Sequence, residues 1–401
     1  MKTVKEPAGD PADAAAYRQA LDWLFTRTRA GAPRTPARMT RLAGALGLVP
    51  PPRTVHVAGT NGKGTVSAMI QAGLSAAGHR SGLFISPHVE EFRERISVDG
   101  RQVTQAEVTA SVARLKERQL PPAAFFELVL ALALEHFAAE RVDWAVIEAG
   151  VGARNDATLA VGNTVLSVLT QVAVDHAGTL GTSLAEITAD KAAVIRPGIP
   201  VVTMVGGVPL QVVRGAAERQ GSRLVHPETD AELFRVPEGS AAAGTRYSNQ
   251  QLAAAALRLL NVPEPHVLTG ISRPPLPGRG ERFVISGRTV LLDGAHDPAA
   301  ARALRSGLAP GYTLLYGGQD RKQQTATLNE LAAAASRTIT VPVAGSHPPD
   351  GPGITACGSA AAGLELALQA TPPGGLLVIA GSLYLAGELR PLLSEAAQNS
   401  L

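Results

Sequence analysis

The sequence predicts an α/β protein in which a mostly parallel sheet, wound with helices, is followed by a smaller α/β unit. Three observations carry this expectation. Short β-branched runs alternate with Ala- and Leu-rich periodic segments, the first of these runs opens into a glycine-crowded loop, and the same rhythm restarts after a break rich in proline, glycine and arginine.

In chain order, TVHVAG (54–59), GLFIS (82–86), DWAVIEAG (143–150), TVLSVLTQV (164–172) and PVVTMV (200–205) read as buried parallel strands. Helices are expected between them near 64–78, 104–118, 123–140 and 183–195, which is the βαβ rhythm of a doubly wound sheet. The stretch PEGSAAAGTRYS (237–248) reads as a loop. The pattern then breaks around LTGISRPPLPGRGERF (268–283), and the linker is placed at 276–280, between domains 1–275 and 281–401. Beyond it, strands are expected at RTVLLDG (288–294), YTLLYGG (312–318), RTITVPV (337–343) and GLLVIAG (375–381), separated by alanine-rich helices.

Composition narrows the function. At 401 residues with 45% hydrophobic and 18% charged, the chain has ample material for two cores, so disorder is not expected. Lys and Arg total 37 against 34 Asp and Glu, and this net charge of +3, without any block of like charge, argues against a nucleic-acid surface. The single cysteine, Cys357, excludes an internal disulfide and a cysteine-based metal cluster, as expected of a reducing compartment. The opening MKTVKEPAGD is followed by no apolar signal region. The most apolar segment, AAFFELVLALALEHFAAE (123–140), contains Glu127 and Glu135 and reads as a buried helix rather than a membrane span. A cytoplasmic protein is the expectation.

The loop in HVAGTNGKGT (56–65) carries the first chemical signal. Gly59, Thr60, Asn61, Gly62, Lys63, Gly64 and Thr65 stand between an apolar run and a helical segment. Backbone N–H groups at a helix N-terminus, with the helix dipole and a lysine, favour phosphate oxygens. The strict P-loop spacing is not met: Val57 stands where the first glycine belongs, and Gly64 intervenes between Lys63 and Thr65. The alternative is an ordinary glycine-rich turn with a solvated lysine. Glu148, at the end of DWAVIEAG, falls where open α/β sheets place ligands.

GTNGKGT, SPHVEEFRERI (86–96), FFELVLALALEHFAAERVDWAVIEAGVGARNDAT (125–158), VDHAGTLGTSLAEITADKAAVI (174–195), LPGRGE (276–281), LLDGAHDP (291–298) and AGSLYLAGELR (380–390) occur in this order. Together they resemble the folylpolyglutamate synthase and dihydrofolate synthase family, a branch of the Mur ligases. The resemblance implies a P-loop-type, mostly parallel ATPase domain with an N-terminal extension, followed by a Rossmann-like C-terminal glutamate-ligase domain. It also implies a monomer that uses ATP and Mg2+ to add L-glutamate to dihydropteroate or a reduced folate through an acyl phosphate. Lys63, within the ATP-binding run from Gly59 to Thr65, would then be the phosphate cation. Ser86, Glu148 and His176 would be metal ligands, and Lys191 would match a lysine that becomes carbamylated. Arg279 and Asp293 would reach ATP, with His296 among the catalytic groups, so that neither domain alone would hold them all.

The chain also departs from the family pattern. Where GGR-x-DATN is usual it reads Gly152, Ala153, Arg154, Asn155, Asp156, Ala157, Thr158, Leu159; Gly178 replaces an aspartate, and Asp297 replaces an asparagine. These changes bear on acceptor and adenosine recognition and leave the metal and phosphate residues intact. Two other readings stand beside this one: a related Mur-type ligase with another carboxylate acceptor, and a P-loop regulator that binds nucleotide without ligation.

Overall fold

The computed structural model describes residues 11–27, 35–174, 180–237, 245–319 and 321–399. The chain divides into two compact units, one drawn from Met1–Ser240 and Asn249–Arg273, the other from Ala241–Ser248 and Pro274–Leu401.

Among the described residues the first unit holds an eight-stranded sheet. Its strands are β1 (Arg53–Ala58), β2 (Ser81–Phe84), β3 (Ile96–Val98), β4 (Arg101–Gln102), β5 (Trp144–Glu148), β6 (Thr164–Leu169), β7 (Val201–Thr203) and β8 (Leu224–Val225). The order is β4-β3-β2-β5-β1-β6-β7-β8, parallel from β2 to β8 and antiparallel only at β3 and β4. β1 is buried from Thr54 to Ala58, which explains its unbroken apolar run. Because β1 lies between β5 and β6, chain leaving β1 and β5 opens onto one carboxyl edge, the usual ligand position in such sheets.

The expected helices form at Lys63–Ala76, Gln105–Lys116, Phe125–Ala139 and Leu184–Lys191, the last continued by a short 3-10 turn to Val194. Two of them start at reciprocal caps: Thr104 with Glu107, and Ser183 with Glu186. The apolar helix Phe125–Ala139 is tied to the helix Pro36–Leu46 by a buried pair in which Arg38 Nε donates to Glu127 Oε1 at 2.8 Å and Nη2 to Oε2 at 2.7 Å. Among the described residues no helix is long and apolar enough to cross a membrane.

Two segments differ from expectation. LTGIS, read as part of the pattern break, lies in the helix Glu264–Ser272. A Cβ on its Gly270 would come within 2.7 Å of the Met69 carbonyl and 2.8 Å of Gly73 Cα, so small residues there let this helix lie directly on Lys63–Ala76. Of the loop-like stretch 237–248, residues 245–248 open the helix Thr245–Leu259, and 238–244 lie outside the described residues.

The second unit carries β9 (Arg279–Ile285), β10 (Arg288–Asp293), β11 (Tyr312–Tyr316), β12 (Ala335–Thr340), β13 (Ile354–Ala356) and β14 (Leu376–Ala380), ordered β13-β12-β11-β14-β10-β9. Only β9 runs antiparallel to its neighbour. Arg279 and Gly280, placed by the sequence in a linker, open β9 because they continue its ladder with β10, where Arg279 stands opposite Asp293. Tyr312, Leu314, Tyr316, Leu328, Leu331 and Val378 form a buried core beneath this sheet.

Candidate active site

The loop after β1 is shaped by two glycines. Gly59 has φ 146°, and a Cβ there would fall 1.9 Å from Thr170 Oγ1; Gly62 has φ 85° and caps the helix Lys63–Ala76. Both positions require glycine. The loop therefore enters the helix with first-turn N–H groups directed outward along its axis, an arrangement that suits an anion. Gly64 and Thr65 occupy that first turn. Thr60 N donates to the Gln171 carbonyl at 2.7 Å, and Asn61 forms an isolated antiparallel bridge with Gln171, which ties the loop to the chain leaving β6.

Three adjacent strands bring predicted residues to this edge. Glu148, the last residue of β5, is 2% exposed and pairs in register with Val57 of β1. Its Oε2 accepts from the Ser86 backbone N–H at 2.9 Å, just beyond β2, and its Oε1 stands 3.8 Å from Lys63 Nζ. Lys63 Nζ donates to the Thr60 carbonyl at 3.1 Å. Lys191 ends the helix Leu184–Lys191, is 2% exposed, and donates to the Gly59 carbonyl at 2.9 Å. Two lysines thus meet successive carbonyls of one loop, and a buried carboxylate stands beside one of them. His176 lies outside the described residues.

Among the described residues no group of three His, Cys, Asp or Glu side chains could hold a metal. The available donors are hard oxygens, a buried carboxylate and the Ser86 hydroxyl. This suits Mg2+, which takes one or two carboxylates and keeps water and phosphate oxygens for its other positions.

The loop after β5 is held by two carboxylates. Asp156 accepts from Thr158 Oγ1 at 2.6 Å, Thr158 N at 3.0 Å and Gly150 N at 3.0 Å; burial pushes its carboxyl above the usual range, opposed by these hydrogen bonds. Asp190, next to Lys191, accepts from Ala153 N at 2.8 Å, while a Cβ on Gly152 would fall 2.3 Å from the same oxygen. Ala153 is fully buried and Leu159 packs against the same apolar cluster, so these two departures from the family pattern extend a core.

In the second unit, Asp293 ends β10 and its Oδ1 accepts from Ala295 N at 2.8 Å. Burial raises its carboxyl above the ordinary range, opposed first by the Arg279 guanidinium. His296 is exposed, and its Nδ1 donates to the Gly294 carbonyl at 2.9 Å. Asp297 is fully buried; its Oδ1 accepts from Ala299 N and Ala300 N, each at 2.9 Å, and caps the helix Pro298–Arg305. Aspartate and asparagine cap helices about equally well, so a carboxylate fits here as a structural group.

No protein-family model matches the chain. A Bacillus subtilis protein named dihydrofolate synthase/folylpolyglutamate synthase is 32% identical over 327 residues, covering 72% of this chain and 75% of that protein. This chain belongs to the folylpolyglutamate synthase and dihydrofolate synthase family. A Haloferax volcanii relative, named probable bifunctional folylpolyglutamate synthase/dihydropteroate synthase, is 32% identical over 437 residues, covering 95% of this chain and 51% of that protein. The chain thus spans about half the length of that relative. Among solved structures, the Escherichia coli family member in complex with DHPP and ADP has a TM-score of 0.85 at 25% identity, covering 96% of this chain and 99% of that one. A bifunctional folylpolyglutamate synthase/dihydrofolate synthase with Mn, AMPPNP and L-glutamate bound has a TM-score of 0.81 at 26% identity, covering 93% and 98%.

Within this family frame, the structure adds residues that the sequence reading did not single out: Thr170 against Gly59, Gln171 and Ala173 against the glycine loop, and Asp190 on the backbone beyond β5. None belongs to a recognisable spacing. Asp190 had one local signal, its place directly before Lys191.

Proposed function

We propose that this chain is an ATP- and Mg2+-dependent ligase that joins L-glutamate to the carboxylate of a dihydropteroate or reduced folate. The observation that carries the reading is the convergence of Lys63, Lys191, Ser86 and Glu148 on the glycine loop at the carboxyl edge of the first sheet. DHPP and L-glutamate bound to two structural relatives support the choice of acceptor and amine.

Amide formation requires an activated carboxylate. ATP phosphorylates the acceptor to an acyl phosphate, releasing ADP; the glutamate amine then displaces phosphate and loses a proton. What the first step asks of the protein is positioning and stabilisation of charge on the transferred phosphoryl group. The loop from Gly59 to Thr65 cradles the polyphosphate, and Lys63 neutralises oxygens of the moving group. Glu148, Ser86 and, from the family resemblance, His176 would hold Mg2+, which supplies electrostatic stabilisation to phosphoryl oxygens when bound. Lys191 acts as a carbamate in this reading: its neutral amine adds carbon dioxide, releases a proton to solvent, and becomes an anion able to organise the metal and its waters. In the second unit, the family resemblance assigns Arg279 and Asp293 to ATP and His296 to the catalytic groups.

The test is ADP release with Mg2+-ATP and candidate acceptors, with and without glutamate, followed by product mass. The reading expects ADP to require acceptor and glutamate together, with a product heavier by one glutamyl residue. Turnover only with non-folate carboxylates would make this a related ligase, and robust acceptor-independent hydrolysis without product would make it a nucleotide switch.

A further inference from the structure

The loop's lysines are held by backbone: Lys191 by the Gly59 carbonyl and Lys63 by the Thr60 carbonyl. The direction of those two carbonyls therefore sets where the two side-chain nitrogens stand. What fixes the backbone is the Thr60 side chain. Its hydroxyl accepts from Ala173 N at 3.1 Å and donates to the Ala173 carbonyl at 3.2 Å, while Thr60 N donates to Gln171 and Asn61 bridges the same residue. Residues 59–61 and 171–173 thus form a short ladder in which a side chain stands in for one rung of backbone. A hydroxyl has a single donor, and here it is engaged within the protein. Thr60 is buried, so water is a poor substitute for the lost partner in a variant without the hydroxyl. Ala173 stands three residues before His176 in the sequence, so the same hydroxyl ties the phosphate loop to the segment leading to that residue.

We propose that Thr60 is a positioning residue whose hydroxyl, by bridging the phosphate loop to Ala173, holds the loop so that Lys63 faces the nucleotide phosphates and the Lys191 nitrogen is kept at the Gly59 carbonyl. The inference rests on the nucleotide-binding part of the reading above. Binding of Mg2+-AMPPNP, measured by calorimetry on the full chain, separates it from ligase activity. Thr60→Val, which keeps the branched shape and removes the hydroxyl, is expected to bind about tenfold more weakly, and Thr60→Ser, which keeps the hydroxyl, within about twofold of wild type. In turnover, the Val variant should show a raised KM for ATP with the KM for glutamate unchanged. If Thr60→Val does not fold, Thr60→Ala carries the same comparison with less bulk.

Wild-type affinity in the hydroxyl-free variant overturns the proposal, as does Thr60→Ser failing as badly as Thr60→Val, since shape would then be what matters. Wild-type binding of AMPPNP without glutamate-dependent product would sink the ligase reading and leave this one standing. Absence of AMPPNP binding by the wild type sinks both.

Discussion

Replacing Glu148 by glutamine removes a charge while leaving an oxygen that can still accept from Ser86 N. The fold should therefore persist, because the buried backbone donor keeps a partner. Metal and Lys63 would lose the carboxylate that faces them. Metal stabilisation of a transferring phosphoryl group contributes several kcal/mol, so turnover of Glu148→Gln should fall by about 100-fold or more, with a raised Mg2+ requirement. Near wild-type turnover at low Mg2+ would remove Glu148 from the metal site. Lys191 separates two chemistries at one position. A free lysine is a cation near neutral pH, and arginine preserves that charge but forms no carbamate. Lys191→Arg and Lys191→Ala should both be severely impaired, and bicarbonate depletion should slow the wild type; full activity in Lys191→Arg would make Lys191 an ordinary cation. At this scale the sequence was informative where a residue type is itself rare in its setting, as with a lysine among glycines or a carboxylate closing an apolar strand. It named Thr60 only as one member of the ATP-binding run and did not single out Thr170 or Asp190; the partners of these side chains lie far along the chain or on backbone that only the fold brings near.

Elements were legible where hydrophobic pattern and caps agreed. The runs containing β1, β2, β5, β6 and β7 in the first unit, and β10, β11, β12 and β14 in the second, were all expected as strands. β3 and β4 were missed, although Asp99 and Gly100 between them, with φ 50° and 78°, are the residues that a tight hairpin turn asks for. β9 was missed because it mixes Arg, Glu and Gly in an edge strand, where one side is unpaired and the apolar signal is weak. The helix Pro36–Leu46 went unassigned, and with it the partner of Glu127. The sequence used that carboxylate only to argue against a membrane span; its partner, Arg38, lies 89 positions away. Each side chain is 5% exposed, so Arg38→Met or Glu127→Leu alone should lower stability by about 3–5 kcal/mol by leaving a buried group uncompensated. The double variant Arg38→Met, Glu127→Leu should recover part of that loss in denaturant unfolding. Losses that simply add would show that the two side chains do not stabilise one another.

At the scale of the molecule, each unit has its own sheet and core, and each presents its candidate residues at the carboxyl end of parallel strands. The sequence placed the division at the break rich in proline, glycine and arginine, where helix and strand both extend into residues that look like turn. The claim that joins the parts is chemical: a carboxylate is activated by phosphorylation and then captured by glutamate. That claim is tested most directly with a pteroate or folate acceptor whose reacting carboxylate carries 18O, incubated with Mg2+-ATP and glutamate. The account predicts inorganic phosphate bearing one 18O from the acceptor and a product one glutamyl residue heavier, because the acceptor oxygen leaves with the phosphoryl group. Unlabelled phosphate, or label recovered in AMP, would contradict it.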